Sequence, residues 1–269
     1  MPATDQLLEL AHELAVEAGD MVLAKRPARP EVVETKSSPT DVVTALDREA
    51  EELIRARIHA ARPGDAVLGE EQGDTPGSGR VRWIVDPIDG TVNFLYGLPV
   101  WSVSIAAEVD GQIVAGVVNV APQGEIYTAT LGGGAWQGGR RLRCNTGVPL
   151  DRALVATGFG YLPARRAVQA EVLTHVLPRV RDIRRAGSCT VDLCAVASGQ
   201  VDAYYERGPM YWDYAAAGLI ATEAGARIGG LGGKPYNTRL DRTELALCAA
   251  PELFDALDAL LTPLDPDHD

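Results

Sequence analysis

The sequence lacks several features that mark common classes of protein. No apolar run reaches about 18 residues, so we expect no membrane-spanning helix. The first residues carry neither a basic segment nor an apolar segment, which predicts no signal peptide. The net charge is −12 and no long run of lysine and arginine is present, which argues against a nucleic-acid-binding groove. We therefore expect a cytoplasmic protein with neither membrane nor nucleic acid as a partner.

Cysteine is scarce, and its spacing indicates no metal site. The four cysteines form no Cys-x-x-Cys pair, which argues against bound zinc. Cys189 and Cys194 lie in an apolar stretch, where the simplest interpretation is a pair of small buried hydrophobic residues in a reducing compartment. We also find no serine–histidine or cysteine–histidine arrangement of the kind that covalent catalysis uses.

The hydrophobic pattern changes near residue 145. Before that point it predicts two amphipathic helices, the second from about Thr44 to Ala61, and a run of antiparallel strands that begins with Val81 to Asp86. After it, strands and helices alternate. We therefore predict one integrated unit with two lobes, a helix-plus-antiparallel-sheet lobe over 1–145 and an α/β lobe over 146–269.

The run WIVDPIDGT at residues 83–91 is the most informative segment. An apolar strand ends at Asp86, Pro87 has no N–H to continue the ladder, and Asp89 follows at once. The two carboxylates can aim at one point across a tight turn, where they repel unless a cation or a proton lies between them. Such hard oxygen ligands suit Mg²⁺. The alternative is an Asx-type turn in which both aspartates bond the backbone.

The next two residues, Gly90 and Thr91, favour a bound anion. If a helical turn starts there, its free N–H groups point outward and attract phosphate. The segment then places metal ligands and a phosphate cradle on adjacent residues.

Polar residues elsewhere in the chain extend the pattern. Glu70 and Glu71 follow a strand-like segment, where a solvated loop is the simple alternative. Asp213 follows Trp212 at the start of an apolar helix, where an acid would also complement the helix dipole. Three more polar residues lie around the start of the second helix: Lys36, Thr44 and Asp47. The simple alternative is that Thr44 only caps this helix.

Taken together and in this order, these segments resemble the inositol monophosphatase family, part of the lithium-sensitive, metal-dependent sugar and nucleotide phosphatases. The family pattern is Asp near the second helix, then Glu-Glu, then Asp-Pro-Ile-Asp-Gly-Thr, then Trp-Asp-x-Ala-Ala. The matching positions are Asp47, Glu70-Glu71, Asp86 to Thr91 and Trp212 to Ala216. The resemblance covers nearly the whole chain. It implies an α/β fold, the layered αβαβα sandwich of inositol monophosphatases and fructose-bisphosphatases, and a homodimer.

The resemblance also implies how the site works. A water activated by Mg²⁺ would hydrolyse a phosphate monoester, with two ions per subunit and a third position near Glu70 left open. Glu70 and Thr91 would orient that water. Asp47 would lie in the water shell of the third position, and Lys36 would be a nearby cation. The implied metal ligands are Glu70, Asp86, the Ile88 carbonyl oxygen, Asp89 and Asp213. The implied supporting residues are Glu71, Thr44 and Trp212.

The resemblance further implies a small phosphorylated polyol as the substrate. Glu206 occupies the place of a glutamate that accepts hydrogen bonds from ring hydroxyls in inositol-specific members of the family. A carboxylate there suits a neutral polyol and repels a second phosphate, so we expect inositol 1-phosphate. The implied substrate-binding residues are Asp89, Gly90, Thr91, Gly187, Ser188, Cys189, Glu206 and Asp213.

Three alternatives stay open on sequence grounds. Arg184 or Arg185 could hold the distal phosphate of fructose 1,6-bisphosphate, although one arginine could equally pair with an acid of a partner subunit. Glu206 could meet the ammonium group of histidinol phosphate. A function of a different class is a non-catalytic regulatory factor associated with protein or RNA, which would dock through another protein and leave no readable signal here.

Overall fold

The secondary structure alternates between helices and short strands. The computed structural model describes residues 4–27, 30–36, 42–234 and 244–264. The helices in these ranges are α1 Thr4–Lys25, α2 Ala45–Ala61, α3 Thr91–Tyr96, α4 Pro163–Val176, α5 Cys189–Ser198, α6 Tyr211–Glu223 and α7 Pro251–Leu261. The strands are β1 Val32–Thr35, β2 Val42–Thr44, β3 Ala66–Gly69, β4 Gly73–Thr75, β5 Val81–Asp89, β6 Ser102–Val109, β7 Gln112–Val120, β8 Glu125–Thr130, β9 Gly134–Gln137, β10 Arg140–Arg141, β11 Leu154–Thr157, β12 Asp182–Arg184, β13 Ala203–Arg207, β14 Arg227–Gly230 and β15 Leu245–Ala249.

The strands form two large sheets and one small ribbon. The first sheet has eight strands in the order β10-β9-β8-β7-β6-β5-β3-β4, and only the β3–β5 pair is parallel. The second has five strands in the order β12-β11-β13-β15-β14, with β12, β11 and β13 parallel and β15 antiparallel to both neighbours. The ribbon pairs β1 with β2.

The helices cover both sheets. Apolar residues of α1 at helical spacing, from Leu7 through Leu14 to Val22, are buried. The inner faces of α1 and α2 share one core with β5, β6 and β7. On the far side of the molecule, α4 and α7 pack on the five-stranded sheet, where Val172 and Phe254 lie in its core.

Helices α5 and α6 fill the space between the two sheets. Helix α6 is buried on every side from Tyr214 to Ala221, as expected for a helix with a sheet on each face. Small residues allow close approach here: a Cβ on Gly116 of β7 would lie 2.9 Å from the Ala216 carbonyl oxygen. The layers therefore run helix, sheet, helix, sheet, helix, which confirms the predicted αβαβα sandwich.

The structure corrects one local prediction. Pro87 was expected to stop the strand, but β5 continues to Asp89. The ladder with β6 breaks between Asp86 and Asp89 and then resumes with Asp89 opposite Ser102. The bulge takes up Pro87 at the interruption, where no N–H is needed.

Cys189 and Cys194 are buried, as the apolar stretch around them predicts. All four cysteines are buried and unpaired: Cys144, Cys189, Cys194 and Cys248. No helix in the described part of the chain combines the length and the apolar character that crossing a membrane requires.

Candidate active site

Three aspartates converge where the first sheet meets the central helices. Asp86 and Asp89 lie at the end of β5, and Asp213 lies in the first turn of α6. One carboxylate oxygen from each residue lies within 4.8 Å of the others. Asp86 is almost fully buried and the other two are half-buried. The 83–91 segment therefore lies against the start of α6, which is more than a hundred residues away in sequence.

Helix α5 holds Asp89 in place. Oδ2 of Asp89 accepts hydrogen bonds from Ser188 Oγ at 2.6 Å, from Thr190 N at 2.7 Å and from Thr190 Oγ1 at 2.5 Å. Ser188 is the N-cap of this helix, so the cap also fixes the aspartate. Charge-assisted bonds of this kind fix one oxygen of Asp89.

Burial and mutual repulsion destabilise the negatively charged form of the carboxylates in this cluster. Burial, then the charge of Glu70, raise the pKa of Asp86 well above its usual range. Burial and the charge of Asp89 do the same to the pKa of Asp213, although Met210 N donates to Asp213 Oδ2 at 2.6 Å. The backbone therefore positions these carboxylates without neutralising them.

Two more acidic residues, Glu70 and Glu71, lie in the turn between β3 and β4. Lys36 Nζ donates to Glu70 Oε1 and to Glu71 Oε1, both at 2.7 Å. Burial lowers the pKa of Lys36, but pairing with the two glutamates outweighs it and raises the pKa overall. Burial raises the pKa of Glu70 to about 7. This places Lys36 beside the carboxylates, as the resemblance implied.

Asp47 lies behind Thr91 at the start of α2. Thr91 Oγ1 lies 3.2 Å from Asp47 Oδ1 and 3.1 Å from the Ile88 carbonyl oxygen, and its proton can go to either acceptor. The other oxygen of Asp47 accepts from Thr44 N at 2.9 Å, as in a capping box. Burial raises the pKa of Asp47 to about 6. The pair forms a hydroxyl–carboxylate relay that ends at Thr91.

Gly90 is required by the backbone that starts α3. Its φ is 95°, and a Cβ there would lie 3.0 Å from the Val100 carbonyl oxygen and 3.3 Å from the Gly187 carbonyl oxygen. Asn93 reinforces the approach by donating to the carbonyl oxygens of Val100 at 2.7 Å and Ala186 at 2.8 Å. The predicted helical start at 90–91 therefore lies against the loop that leads into α5.

These groups line one pocket of about 510 Å³. Most of the residues expected at the site contribute to its wall: Lys36, Glu70, Asp86, Ile88, Asp89, Gly90, Thr91, Gly187, Ser188, Cys189, Glu206, Trp212 and Asp213. Thr44, Asp47 and Glu71 do not line it. Asp47 bonds Thr91 and is itself bonded by Thr44, and Glu71 accepts from Lys36.

Glu206, on β13, also lines the pocket. Tyr204 donates its hydroxyl proton to Glu206 Oε2 at 2.7 Å. Burial raises the pKa of Glu206 to about 7, against the effect of Arg185 and Arg165, which lower it. A Cβ on Gly158 would overlap this carboxylate, so the present position of the Glu206 side chain depends on the glycine. The glutamate is therefore held with an oxygen accessible to a ligand in the pocket.

The two arginines left open by the sequence differ in position. Arg184 is exposed and pairs with Asp182 at 2.6 Å, outside the pocket. Arg185 lines the pocket together with Arg165.

Several residues at this site were not predicted from the sequence, and three of them are polar side chains with clear contacts or charge in it. Arg165 and Asp192 line the pocket, and Thr190 bonds Asp89. Asp192 is the easiest to find in retrospect, because an acid within the apolar helix α5 needs an explanation. Burial raises the pKa of its carboxyl to about 8. The contacts of Arg165 and Thr190 depend on distant segments and leave no local signal.

The donor set fits divalent cations. Oxygen ligands only, several of them carboxylates, converge on one point and repel one another. Such hard ligands match Mg²⁺, and a positive ion between them would remove the repulsion. Asp86, Asp89 and Asp213 are the residues placed to hold it, with Glu70 beside them.

Comparisons with known proteins agree with this geometry. The chain matches the sequence model of the Inositol monophosphatase family over residues 3–261. An Inositol-1-monophosphatase of Mycobacterium leprae is 45% identical over 281 residues, which cover 96% of this chain and 94% of that protein. Inositol-1-monophosphatase SuhB of Mycobacterium tuberculosis is 48% identical over 83% of each chain. A solved structure of Mycobacterium tuberculosis SuhB has a TM-score of 0.83 and 41% identity, with 100% of both chains covered.

The layered sandwich and its acidic pocket thus define a phosphoric monoester hydrolase. The chain belongs to the inositol monophosphatase family.

Replacing one carboxylate should stabilise the protein in the absence of metal. Asp86→Asn removes one of several repelling charges and keeps the acceptor for Ile88 N, which lies 3.1 Å from Asp86 Oδ1. At pH 8 in EDTA, we expect its free energy of unfolding to exceed that of the wild type by on the order of 1 kcal/mol. Urea denaturation measures the difference.

The matched control is Asp110→Asn, which removes an exposed carboxylate paired with Arg80. It should give no gain, because exposed pairs contribute little. An Asp86→Asn protein that is no more stable than the wild type would show that repulsion in the cluster is negligible.

Proposed function

We propose that this chain hydrolyses inositol 1-phosphate to inositol and phosphate with Mg²⁺ as its cofactor. The observation that carries the proposal is the convergence of Asp86, Asp89 and Asp213 beside Glu70 in a pocket that is also lined by the half-buried Glu206. When bound, Mg²⁺ would supply charge stabilisation for the phosphate and lower the pKa of an attacking water.

The protein's own part in the attack is to orient the water and take its proton. Glu70 lies at the pocket wall and can orient a water by accepting a hydrogen bond. Thr91 Oγ1 can accept a proton from that water while it donates its own to Asp47 Oδ1, 3.2 Å away. Asp47 is buried and fixed by Thr44, so this relay would be oriented before the substrate binds.

The pocket also separates the two ends of the substrate. The start of α3 at Gly90 and Thr91 faces the pocket and offers backbone N–H groups to the phosphate. Glu206, held by Tyr204, offers a carboxylate oxygen to polyol hydroxyls at the other end. A neutral ring suits that acceptor better than a second phosphate does.

A bisphosphate is the second candidate substrate. Arg165 and Arg185 line the same pocket, and their charges lower the pKa of Glu206. Guanidinium groups bind phosphate well, so fructose 1,6-bisphosphate would use them. We favour the polyol because the Glu206 carboxylate, which interacts with Asp89 as well as with the arginines, would repel the added charge.

We further propose a homodimer. A groove of about 700 Å³ beside the pocket is lined mostly by apolar side chains, including those of Val32, Leu95 and Leu173. Tyr96 is 78% exposed in this groove. Exposed apolar surface of this kind marks an interface, and a second copy of the chain would cover it.

Phosphate release should depend on the metal and on its ligands. With inositol 1-phosphate as substrate, activity should vanish in EDTA and return with Mg²⁺. Asp213→Asn should lower kcat by roughly 100-fold or more, because charge stabilisation at the reacting phosphate is lost. A phosphate-release assay measures both effects, with circular dichroism as the control for folding. Turnover that survives chelation would exclude a metal-activated water.

Glu206→Gln should lose selectivity for the polyol. We expect kcat/KM to fall by roughly 10-fold for inositol 1-phosphate and to change little for an aryl phosphate that has no ring hydroxyls. Arg184→Ala is the control, because this arginine lies outside the pocket. Equal losses on both substrates would argue against a role in selectivity.

The same assay should include fructose 1,6-bisphosphate, histidinol phosphate and Arg185→Ala. If the bisphosphate is hydrolysed faster than inositol 1-phosphate, and if Arg185→Ala abolishes that activity, the bisphosphate would be the substrate in place of inositol 1-phosphate.

Tyr96→Asp should convert the proposed dimer into a folded monomer, because it places a charge in the apolar groove. Sedimentation equilibrium measures the mass of each species. Leu131→Asp is the control, since Leu131 is also exposed but lies outside the groove. A wild-type protein that is monomeric at assay concentrations would contradict the dimer.

A further inference from the structure

Glu51 of α2 is a fully buried carboxylate outside the pocket. Its exposed fraction is 0%. Oε2 accepts a hydrogen bond from Glu71 N at 2.7 Å, and Oε1 accepts from Gln72 N at 3.0 Å and from Arg55 Nε at 2.7 Å. Both oxygens are therefore engaged, and two of the three donors are backbone groups of the turn between β3 and β4.

Arg55 lies one helical turn further along α2 and holds the other side of the same turn. Its Nη2 donates to the Gly73 carbonyl oxygen at 2.5 Å, and its Nη1 donates to Thr75 Oγ1 at 2.9 Å. The guanidinium is mostly buried, with 12% of the side chain exposed. The ion pair thus contacts four of the five residues in the 71–75 segment.

The turn packs directly against the Glu51 carboxylate. A Cβ on Gly69 would lie 2.4 Å from Glu51 Cδ, so glycine is needed for the approach. On the other side of Gly69, Glu70 N donates to the Val85 carbonyl oxygen at 3.2 Å. The backbone of Glu70 therefore lies between the contacts of Glu51 and strand β5, next to Asp86.

A buried ion pair is costly unless its hydrogen bonds are complete, and such pairs often add little to stability. The simpler explanation, a pair that only stabilises α2, does not account for the direction of these bonds. They run from the helix to the backbone of the one turn that carries Glu70 and Glu71.

We propose that the Glu51–Arg55 pair is a positioning device that fixes the 70–72 backbone so that the Glu70 carboxylate faces Asp86, and that it thereby sets the affinity of the site for a divalent cation. This inference rests on the proposed metal-dependent function. Residues that orient ligands in this way typically change metal affinity by 10- to 100-fold when they are replaced.

Glu51→Gln tests the proposal with little change in shape. The amide keeps one acceptor oxygen, but its NH₂ group would face an N–H donor, so one contact to the turn is lost. With Mn²⁺ as the probe, calorimetry on the full chain should show a dissociation constant raised by roughly 10-fold or more. Hydrogen exchange at the amides of Glu71 and Gln72 should become faster in the metal-free protein. Higher Mg²⁺ should restore kcat, with KM for the substrate unchanged.

Ile54→Val is the matched control. Ile54 is fully buried on the same helix, and the loss of one methylene costs about 1 kcal/mol without touching the turn. We expect lower stability with Mn²⁺ affinity and amide exchange within twofold of the wild type. An Ile54→Val protein that loses as much affinity as Glu51→Gln would overturn the proposal, as would wild-type affinity and exchange in Glu51→Gln.

Arg55→Lys covers the case in which Glu51→Gln does not fold. Lysine keeps the charge beside Glu51 but cannot reach Gly73 and Thr75 as a fork, so we expect a smaller loss of Mn²⁺ affinity in the same direction. Wild-type affinity and exchange in a folded Arg55→Lys protein would contradict the positioning role. A wild-type protein that binds no Mn²⁺ would instead contradict the proposed metal-dependent function. Amide exchange at Glu71 and Gln72 would still show whether the ion pair holds the turn.

Discussion

Repulsion among buried carboxylates is the constraint on which this site depends. Asp86, Asp89 and Asp213 are held together although burial raises the pKa of each, and neighbouring charges raise the pKa of Asp86 and Asp213 further. The fold meets that cost with fixed donors, such as Ser188 and the backbone of α5 for Asp89. A bound divalent cation would turn the same arrangement from a source of instability into a source of binding energy, and the stability of the protein would then depend on occupancy of the site.

The layered fold explains how distant segments share this point. The carboxyl end of β5 comes from the first sheet, whereas α5 and α6 lie between the sheets and start at the same edge. Helix starts carry free N–H groups and positive dipole ends, so they suit both the aspartates and an anionic substrate. Behind them, the start of α2 supplies Asp47 and, one turn later, Glu51. The site is thus assembled from helix starts around one bulged strand.

Sequence reasoning succeeded where the signal is local or repeated. The periodicity predicted two helices in the first part of the chain, with the bounds of α2 close to those observed, and the 83–91 segment carries its carboxylates and its helix start within nine residues. The bulge in β5 was not predicted. Convergence of Glu70 and Asp213 on that segment followed only from the family resemblance, because local patterns do not encode long-range distances. The short strands β2 and β14 give no clear alternation, and the contacts of Thr190 and Glu51 exist only once the layers pack.

The most direct test of the central claim is to locate the metal. Crystals grown with Mn²⁺ would show the ion by its anomalous scattering, independent of any assumption about the substrate. We predict a strong peak between the carboxylates of Asp86, Asp89 and Asp213, within coordination distance of each. Ordered crystals that show no peak there, or carboxylates that point to different faces of the molecule, would contradict it.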